Sequence, residues 1–364
     1  MGNKFEQLQR AVNAIFEEIG TIQKISSVYQ SPAMGFEGDD FLNCVIHLKT
    51  KLSSNKLLEA VLAIEKNLGR ERSSGAQYVS RSIDIDILFI DDLQKKSKSL
   101  IIPHPEIENR RFVLQPMAEV QANFEHPVSG KNMIRLLADT KDKMALVKLS
   151  KWLRNPKKDY DLSQFNYIAI EGNIGAGKTS LASLLASDFN AKLILERFKD
   201  NPFLPKFYKD QTRYAFPLEM SFLADRYQQL LEDITQFDLF KDCVIADYDI
   251  FKSLIFAKVT LTEEEFNLYK KLFQLMHKEL PKPDIYVYLY QHTDRLLDNI
   301  RQRGRTYEKS IEEAYLQKIH NGYFEFIKTQ HETHIRVVDI SDKDFVGSRK
   351  DYLAVLKEII GTQV

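Results

Sequence analysis

The residues Gly172-Asn173-Ile174-Gly175-Ala176-Gly177-Lys178-Thr179 fit the pattern G-x-x-x-x-G-K-[ST] in full. They follow an apolar run, Tyr167 to Ile170, and open into a helical pattern from Lys178, the setting that gives this motif its meaning. Glycines let backbone N–H groups approach phosphate oxygens, and the helix start adds partial positive charge. Lys178 then reaches the outer phosphates and Thr179 is placed to ligate Mg²⁺. The alternative, a chance Gly-rich turn, fits this context poorly, so ATP or GTP binding is expected.

A phosphate-binding loop does not say what receives the phosphate. Glu196 ends the strand pattern Lys192 to Leu195, at the carboxyl edge where such sheets bind ligands, and a carboxylate there can orient or deprotonate an attacking hydroxyl. Asp247 ends the apolar run Val244 to Ala246, a position suited to holding Mg²⁺ through water. Arg301, Arg303 and Arg305 crowd around Gly304. Two readings stand for that cluster: a solvated helix face, or a lid that neutralises charge on a transferring phosphoryl group. The phosphate loop favours the lid.

Another pattern lies far upstream, Arg81-Ser-Ile-Asp84-Ile-Asp86-Ile-Leu88. On a strand Asp84 and Asp86 share a face while Ile83, Ile85 and Ile87 take the other. Such a pair is either a solvated strand face or a site for Mg²⁺ bridging polyphosphate oxygens. Basic residues bracket it: Arg70, Arg72, Arg81, His104, Arg110 and Arg111. Phe41 and Asn43 share one face of a further alternating run, an aromatic beside an amide as a flat heterocycle would need.

These residues must be held by two differently organised halves. The first reads as a small α+β domain over 1–153, with helices at Lys4 to Gly20 and Asn55 to Leu68 and strands at Phe41 to Lys49 and Arg81 to Ile90. A polar segment, 154–164, reads as a linker. Beyond it, 165–364 alternates strands at Tyr167 to Ile170, Lys192 to Leu195, Val244 to Ala246 and Asp284 to Tyr290 with long helices, which predicts an α/β domain with a parallel, doubly wound sheet. Two domains suit 364 residues. Lys plus Arg and Asp plus Glu both total 51, so no basic excess points to nucleic acid or a membrane surface. Cys44 and Cys243 sit in apolar stretches and read as core filling. The polar start, Met1 to Arg10, carries no signal-peptide pattern, and no apolar run nears the ~20 residues of a membrane span. A soluble, cytoplasmic chain is the expectation.

The second half resembles the deoxyribonucleoside kinases, particularly the bacterial deoxyadenosine/deoxyguanosine branch. The resemblance rests on Glu171-Gly-Asn-Ile-Gly-Ala-Gly-Lys-Thr179, Glu196, Asn201-Pro-Phe-Leu204, Tyr208, Tyr214-Ala-Phe-Pro-Leu-Glu219, Phe256, and Arg303-Gly-Arg305 with Glu308. It implies transfer of the ATP γ-phosphate to a nucleoside 5′-hydroxyl, with Glu196 as general base and Arg303 and Arg305 on the phosphates. Tyr208 and Glu308 would hold the sugar 3′-hydroxyl, Phe256 would stack on the base, and Arg226 and Glu219 complete the substrate site. A homodimer through this half is implied as well. Two positions depart from the family. Glu219 stands where glutamine is usual; ionised, it only accepts and suits guanine, whereas adenine wants it protonated or water-bridged. Asp247-Tyr248-Asp249 lacks the family's arginine, and Lys252 is positioned to supply that charge. The wider pattern favours deoxyadenosine.

The first half resembles the hydroxymethyl-dihydropterin pyrophosphokinases, through Ser31-Pro32, Phe41-Leu-Asn43, Leu68-Gly-Arg70, Arg81-x-x-Asp-x-Asp86, Pro103-His-Pro105 and Asn109-Arg-x-Phe112. A ferredoxin-like fold and transfer of diphosphate from ATP to the pterin hydroxymethyl group, releasing AMP, are what this implies. Asp84 and Asp86 would bind Mg²⁺, the arginines and His104 would hold the triphosphate, and Phe41 and Phe112 would sandwich the pterin. The family opens with a strand and a Gly-Ser-Asn turn, of which Met1-Gly-Asn-Lys4 matches only the end, so the natural start is expected upstream. Val79 stands for a usual glycine, and Tyr78 where an aromatic loop residue is expected. Three readings follow: a bifunctional enzyme, a nucleoside kinase with a non-catalytic binding or dimerisation module in front, or a nucleoside monophosphate kinase.

Overall fold

The computed structural model describes residues 3–32, 40–69, 83–198, 201–235, 240–330 and 334–361. Arg70, Arg72, Arg81, Tyr78 and Val79 lie outside the described residues. The chain forms two compact units, Met1–Tyr160 and Asp161–Val364.

The first unit opens with α1 (Lys4–Glu18), capped by the Asn3 side chain on the Phe5 N–H. Its Ala11, Val12, Ile15 and Phe16 are buried, as the helical spacing of apolar residues requires. There follow β1 (Thr21–Ile25), β2 (Tyr29–Ser31), β3 (Phe41–Asn43), β4 (Ile46–Lys49) and α2 (Ser54–Asn67). Then come β5 (Lys95–Lys96), β6 (Ile101–Ile102), α3 (Arg111–Gln121), α4 (Met133–Asp139) and β7 (Val147–Lys148). β1 pairs with β4, and β2 lies between β3 and β7, all antiparallel; β5 pairs with β6.

The expected single strand Phe41 to Lys49 is thus broken in two. At the break the Ser26 N–H donates to the Val45 carbonyl, and the Ser26 hydroxyl accepts the Val45 N–H, both at 2.9 Å. A serine side chain replaces one rung of the ladder, and the alternation breaks there, with Val45 buried instead of Cys44. The expected strand Arg81 to Ile90 is also corrected: 83–90 carries no strand. Its backbone groups find other partners. The Ile85 N–H donates to Glu65 Oε1 of α2 at 2.8 Å, and the Leu88 carbonyl accepts the His104 N–H at 3.0 Å. Alternating sequence permits an extended chain, but a strand needs a ladder neighbour. Among the described residues the strands of this half form three small sheets, in an α+β arrangement.

The second unit opens with β8 (Tyr167–Gly172), α5 (Lys178–Asp188) and β9 (Lys192–Ile194). Next are α6 (Leu204–Phe207), α7 (Gln211–Thr235), β10 (Val244–Ala246), α8 (Phe251–Thr260) and α9 (Glu263–His277). β11 (Ile285–Tyr290), α10 (Thr293–Arg303), α11 (Glu313–Thr329), β12 (Ile335–Asp339) and α12 (Arg349–Ile360) complete it. The sheet is parallel throughout, in the order β12-β11-β8-β10-β9. β8 is buried along its whole length and β11 along five of its six residues, which is why both read as unbroken apolar runs. The chain runs from β8 to β9 and β10 on one side, then crosses from β10 to β11 and β12 on the other, so the strand order reverses beside β8. Ligands of open α/β sheets bind at the carboxyl end of such a point. The segment 154–164 is not wholly polar in its setting: Pro156–Asp159 forms a 3₁₀ turn and Leu162 is buried.

Candidate functional site

The loop after β8 is shaped by glycines that no other residue replaces without strain. Gly175 and Gly177 have φ of +85° and +82°. A Cβ on Gly175 would stand 2.8 Å from the Leu296 carbonyl oxygen. Asn173 and Ala176 are buried; the Asn173 amide donates to the Leu316 carbonyl at 2.8 Å, and its oxygen takes the Ile174 N–H. Lys178 Nζ donates to the carbonyls of Gly172 and Asn173 at 2.9 and 3.0 Å, curled into the loop it closes. Burial, and then the charge of Lys252, push its ammonium down to about 8.

Two strand ends converge beside this loop. Asp247, after β10, accepts the Thr179 hydroxyl on Oδ2 and the Glu196 N–H on Oδ1 at 2.7 Å. Glu196, after β9, is gripped by two cations. Arg226 of α7 donates from Nε and Nη2 to Oε1 at 2.9 and 2.6 Å, and Lys252 of α8 from Nζ to Oε2 at 2.6 Å. Burial would raise the Glu196 carboxyl, but Lys252 and Arg226 outweigh it and hold the group ionised, far below the usual carboxylate range. The Ser253 hydroxyl fixes Arg226 from behind at 2.7 Å. Lys252 therefore stands among these groups from helix α8, four residues beyond where the family's arginine is usual.

Two helix faces extend the site away from Glu196. On α7, Glu219, Phe222 and Arg226 are spaced i, i+3, i+7; on α8, Lys252, Phe256 and Thr260 are spaced i, i+4, i+8. Arg226 and Lys252 meet at Glu196, and at the other end the Thr260 hydroxyl donates to Glu219 Oε1 at 3.1 Å. Arg226 lies over the Phe222 ring at 4.7 Å, and Lys252 Nζ is 5.6 Å from the Phe256 ring centre. The result is a pair of stripes about 12 Å long, carboxylate at each end and aromatic in between.

Arg303 and Arg305 both bind Glu308: Arg303 Nε at 3.1 Å to Oε2 and Arg305 Nη1 at 3.2 Å to Oε1. Arg305 also covers the Phe198 ring at 4.1 Å. Tyr208 stacks on Tyr307, next to Glu308, with ring centres 6.0 Å apart, and burial followed by the Glu308 charge raises its phenol.

Sequence reasoning overlooked a buried pair behind the phosphate loop. The Asp249 N–H donates to Glu171 Oε1 and the Tyr323 hydroxyl to Glu171 Oε2, both at 2.8 Å. Burial raises both carboxyls, Asp249 to about 7. The signal available was a charged residue, Glu171, within an otherwise apolar strand. Thr260 and Ser253 had none, because their partners are distant in sequence.

In the first unit Asp84 and Asp86 are both exposed and Ile83 is buried. Arg110 lies over the Phe112 ring at 5.8 Å, and His104 Nδ1 accepts the Glu106 N–H at 3.3 Å. Phe41 is exposed, and the Asn43 amide donates to the Ser31 hydroxyl at 2.9 Å.

Among the described residues no three His, Cys, Asp or Glu side chains gather to hold a metal unaided. The pairs Thr179 with Asp247, and Asp84 with Asp86, offer oxygen donors only. That donor set fits Mg²⁺, which keeps its waters and binds phosphate oxygens rather than dedicated protein cages. No described helix is long and apolar enough to cross a membrane.

The family model for deoxynucleoside kinase matches residues 168–363, and that for 7,8-dihydro-6-hydroxymethylpterin-pyrophosphokinase matches residues 1–122. A deoxyguanosine kinase of Bacillus subtilis is 41% identical, over 53% of this chain and 97% of its own. A 2-amino-4-hydroxy-6-hydroxymethyldihydropteridine pyrophosphokinase of Aquifex aeolicus is 38% identical, over 36% of this chain and 81% of its own. The chain belongs to both families, one in each half. A deoxyadenosine kinase of Dictyostelium discoideum is 35% identical to the deoxynucleoside kinase half, over 50% of this chain and 74% of its own. The glutamate-ended stripes of α7 and α8 thus lie in the deoxynucleoside kinase half, and the exposed aspartates in the pyrophosphokinase half.

Proposed function

We propose that this protein is a bifunctional ATP-dependent transferase. The deoxynucleoside kinase half moves the γ-phosphoryl group of ATP to the 5′-hydroxyl of a purine deoxyribonucleoside, releasing ADP, with deoxyadenosine favoured by the sequence pattern. The pyrophosphokinase half moves a diphosphoryl group from ATP to the hydroxymethyl oxygen of 6-hydroxymethyl-7,8-dihydropterin, releasing AMP. The ferredoxin-like arrangement of that half and a homodimer through the kinase half belong to the same proposal.

The observation that supports the first activity most is the position of Glu196. It is ionised, pinned by Arg226 and Lys252, and tied through Asp247 to the Thr179 hydroxyl of the phosphate loop. A carboxylate there accepts a hydrogen bond from the attacking hydroxyl and aligns it, which is most of what a loose phosphoryl-transfer transition state asks of the protein. Lys178, Lys252, Arg303 and Arg305 place cations around the transferring group. Tyr208 and Glu308 hold the sugar, and Phe256 and Glu219 the base. In the other half Asp84 and Asp86 face solvent together, with His104 and Arg110 for the triphosphate and Phe41, Asn43 and Phe112 for the pterin. Thr179 and Asp247 in one half, and Asp84 and Asp86 in the other, would hold Mg²⁺, which would supply positive charge to the phosphate oxygens when bound.

The test uses the full chain with Mg-ATP and one acceptor at a time, followed by separation of the nucleotides. ADP with deoxynucleoside monophosphate is expected from deoxyadenosine or deoxyguanosine, and AMP from the pterin. Deoxynucleoside-dependent ADP without pterin-dependent AMP overturns the second activity. Phosphorylation of nucleoside monophosphates but not of nucleosides overturns the first.

A further inference from the structure

Glu219 is a buried carboxylate with half its hydrogen-bonding capacity unused. The residue is 2% exposed. Oε1 takes the Thr260 hydroxyl, while Oε2 is buried with no partner. An unmatched buried carboxylate oxygen costs on the order of 1–3 kcal/mol, so a fold that keeps one has a use for it. It sits at the far end of the α7 and α8 stripes from Glu196, past the Phe222 and Phe256 rings. A flat ring with a polar edge, lying along those aromatics, would present that edge to Glu219.

The surroundings decide its charge. Burial raises the carboxyl, and only then do Arg226 on its own helix, Thr260 and Lys252 on α8 lower it; Glu196, after β9, raises it further. The other ionisable groups facing it are the phenols of Tyr208 after α6, Tyr269 on α9 and Tyr315 on α11, all raised by burial first and Glu219 next among their acidic neighbours or after them, and so neutral. The balance leaves Glu219 at about 7. Both forms are populated at neutral pH.

The two forms read different edges. Ionised, the carboxylate only accepts, and matches two adjacent donors: guanine N1–H and its amino group. Protonated, it donates once and accepts once, and matches adenine N1 and its amino group. We propose that the protonation state of Glu219 selects the purine, so that one site takes deoxyguanosine when Glu219 is ionised and deoxyadenosine when it is protonated. This rests on the nucleoside kinase reading above, since it names the substrate edge of that same site.

The experiment measures kcat/KM for deoxyguanosine and deoxyadenosine on the full chain from about pH 6 to pH 8, the parameter that reports the free enzyme's ionisations. The guanine-to-adenine ratio is expected to rise about tenfold per pH unit, because one substrate needs the form the other excludes. In Glu219→Gln, whose amide offers both a donor and an acceptor at every pH, the ratio becomes flat. Thr260→Val removes a hydrogen bond to the ionised form and moves the pH of equal preference upward. A flat ratio in the unaltered protein overturns the proposal, as does an unchanged slope in Glu219→Gln. Should Glu219→Gln fail to fold, an unmoved crossover in Thr260→Val overturns it too. Those results leave nucleoside phosphorylation intact and so differ from failure of the kinase reading, in which neither nucleoside is phosphorylated at any pH.

Discussion

Lys252 Nζ lies 2.6 Å from Glu196 Oε2, on the opposite side of the carboxylate from the Arg226 guanidinium. The ammonium of Lys178 feels Lys252 strongly enough to be lowered by it, after burial, so the two lysines flank one space. On the proposed reaction, replacing Lys252 by Met removes a cation from beside Glu196, where phosphoryl charge would develop. We expect kcat for nucleoside phosphorylation to fall about 10²-fold, with nucleoside KM changing far less, because the loss falls on the transition state. Lys252→Arg should recover part of kcat. Steady-state kinetics with both variants checks this; a KM effect larger than the kcat effect would contradict it.

Glu196→Gln keeps the shape of the side chain but removes the charge that balances Arg226 and Lys252. Two buried cations then face a neutral amide. Nucleoside phosphorylation should drop by about 10³-fold, since the acceptor hydroxyl loses its aligning carboxylate. Binding of ATP should change little, because Asp247 keeps the Thr179 hydroxyl and the backbone N–H of residue 196. Isothermal titration with a non-hydrolysable ATP analogue separates the two effects.

Gly175 makes a sharper test of the phosphate loop than its lysine does. With φ at +85° and a Cβ forced to 2.8 Å from the Leu296 carbonyl, Gly175→Ala carries left-handed strain of about 1–2 kcal/mol and a backbone clash. Nucleotide affinity in this half should fall more than about tenfold, which 1.4 kcal/mol already accounts for. Gly304, which has positive φ but only one distant neighbour to a Cβ, should lose far less on the same change.

What could be read from the chain before its fold was whatever is contiguous. The phosphate loop carries its own strand and helix, and Glu196 and Asp247 announce themselves by following short apolar runs. Lys252 was traceable because its charge was missing from the expected place. The grip of Thr260 on Glu219 was not, since 41 residues separate them and neither pattern names the other. Residues 83–90 show the opposite failure. Their alternation describes the chain's own shape, whereas a strand is a relation to a neighbour, and here Glu65 and His104 take the backbone groups instead.

Glu119 anchors the first unit and gives it an acid-sensitive joint. Its carboxylate accepts Tyr29 Oη at 2.7 Å and Lys148 Nζ at 2.8 Å on Oε1, and the Ser27 N–H at 2.8 Å on Oε2. Burial would raise it, but Lys148, Tyr29 and Ser27 together hold it at about 2. Because the folded value lies below the ordinary ~4.3 of a glutamate, the stabilisation is complete above that value and is lost as pH falls toward 2. Glu119→Gln should cost about 1–2 kcal/mol near neutrality and flatten the acid limb of stability. Trp152, the chain's single tryptophan, lies in this unit and reports its unfolding by fluorescence.

The two activities should be separable by substitution, because the phosphate-binding residues proposed for each lie in different halves. Asp86→Asn removes one of the two exposed carboxylates proposed to serve the pyrophosphokinase half, and Lys178→Met removes the cation that closes the loop in the kinase half. Asp86→Asn should abolish pterin-dependent AMP, with a loss of at least about 10²-fold, and leave deoxynucleoside-dependent ADP unchanged; Lys178→Met should do the reverse. Asp86 is exposed and needs no buried partner, so its change leaves folding intact and the lost activity reads the chemistry directly. If either substitution silenced both reactions, the independence of the two activities would be wrong.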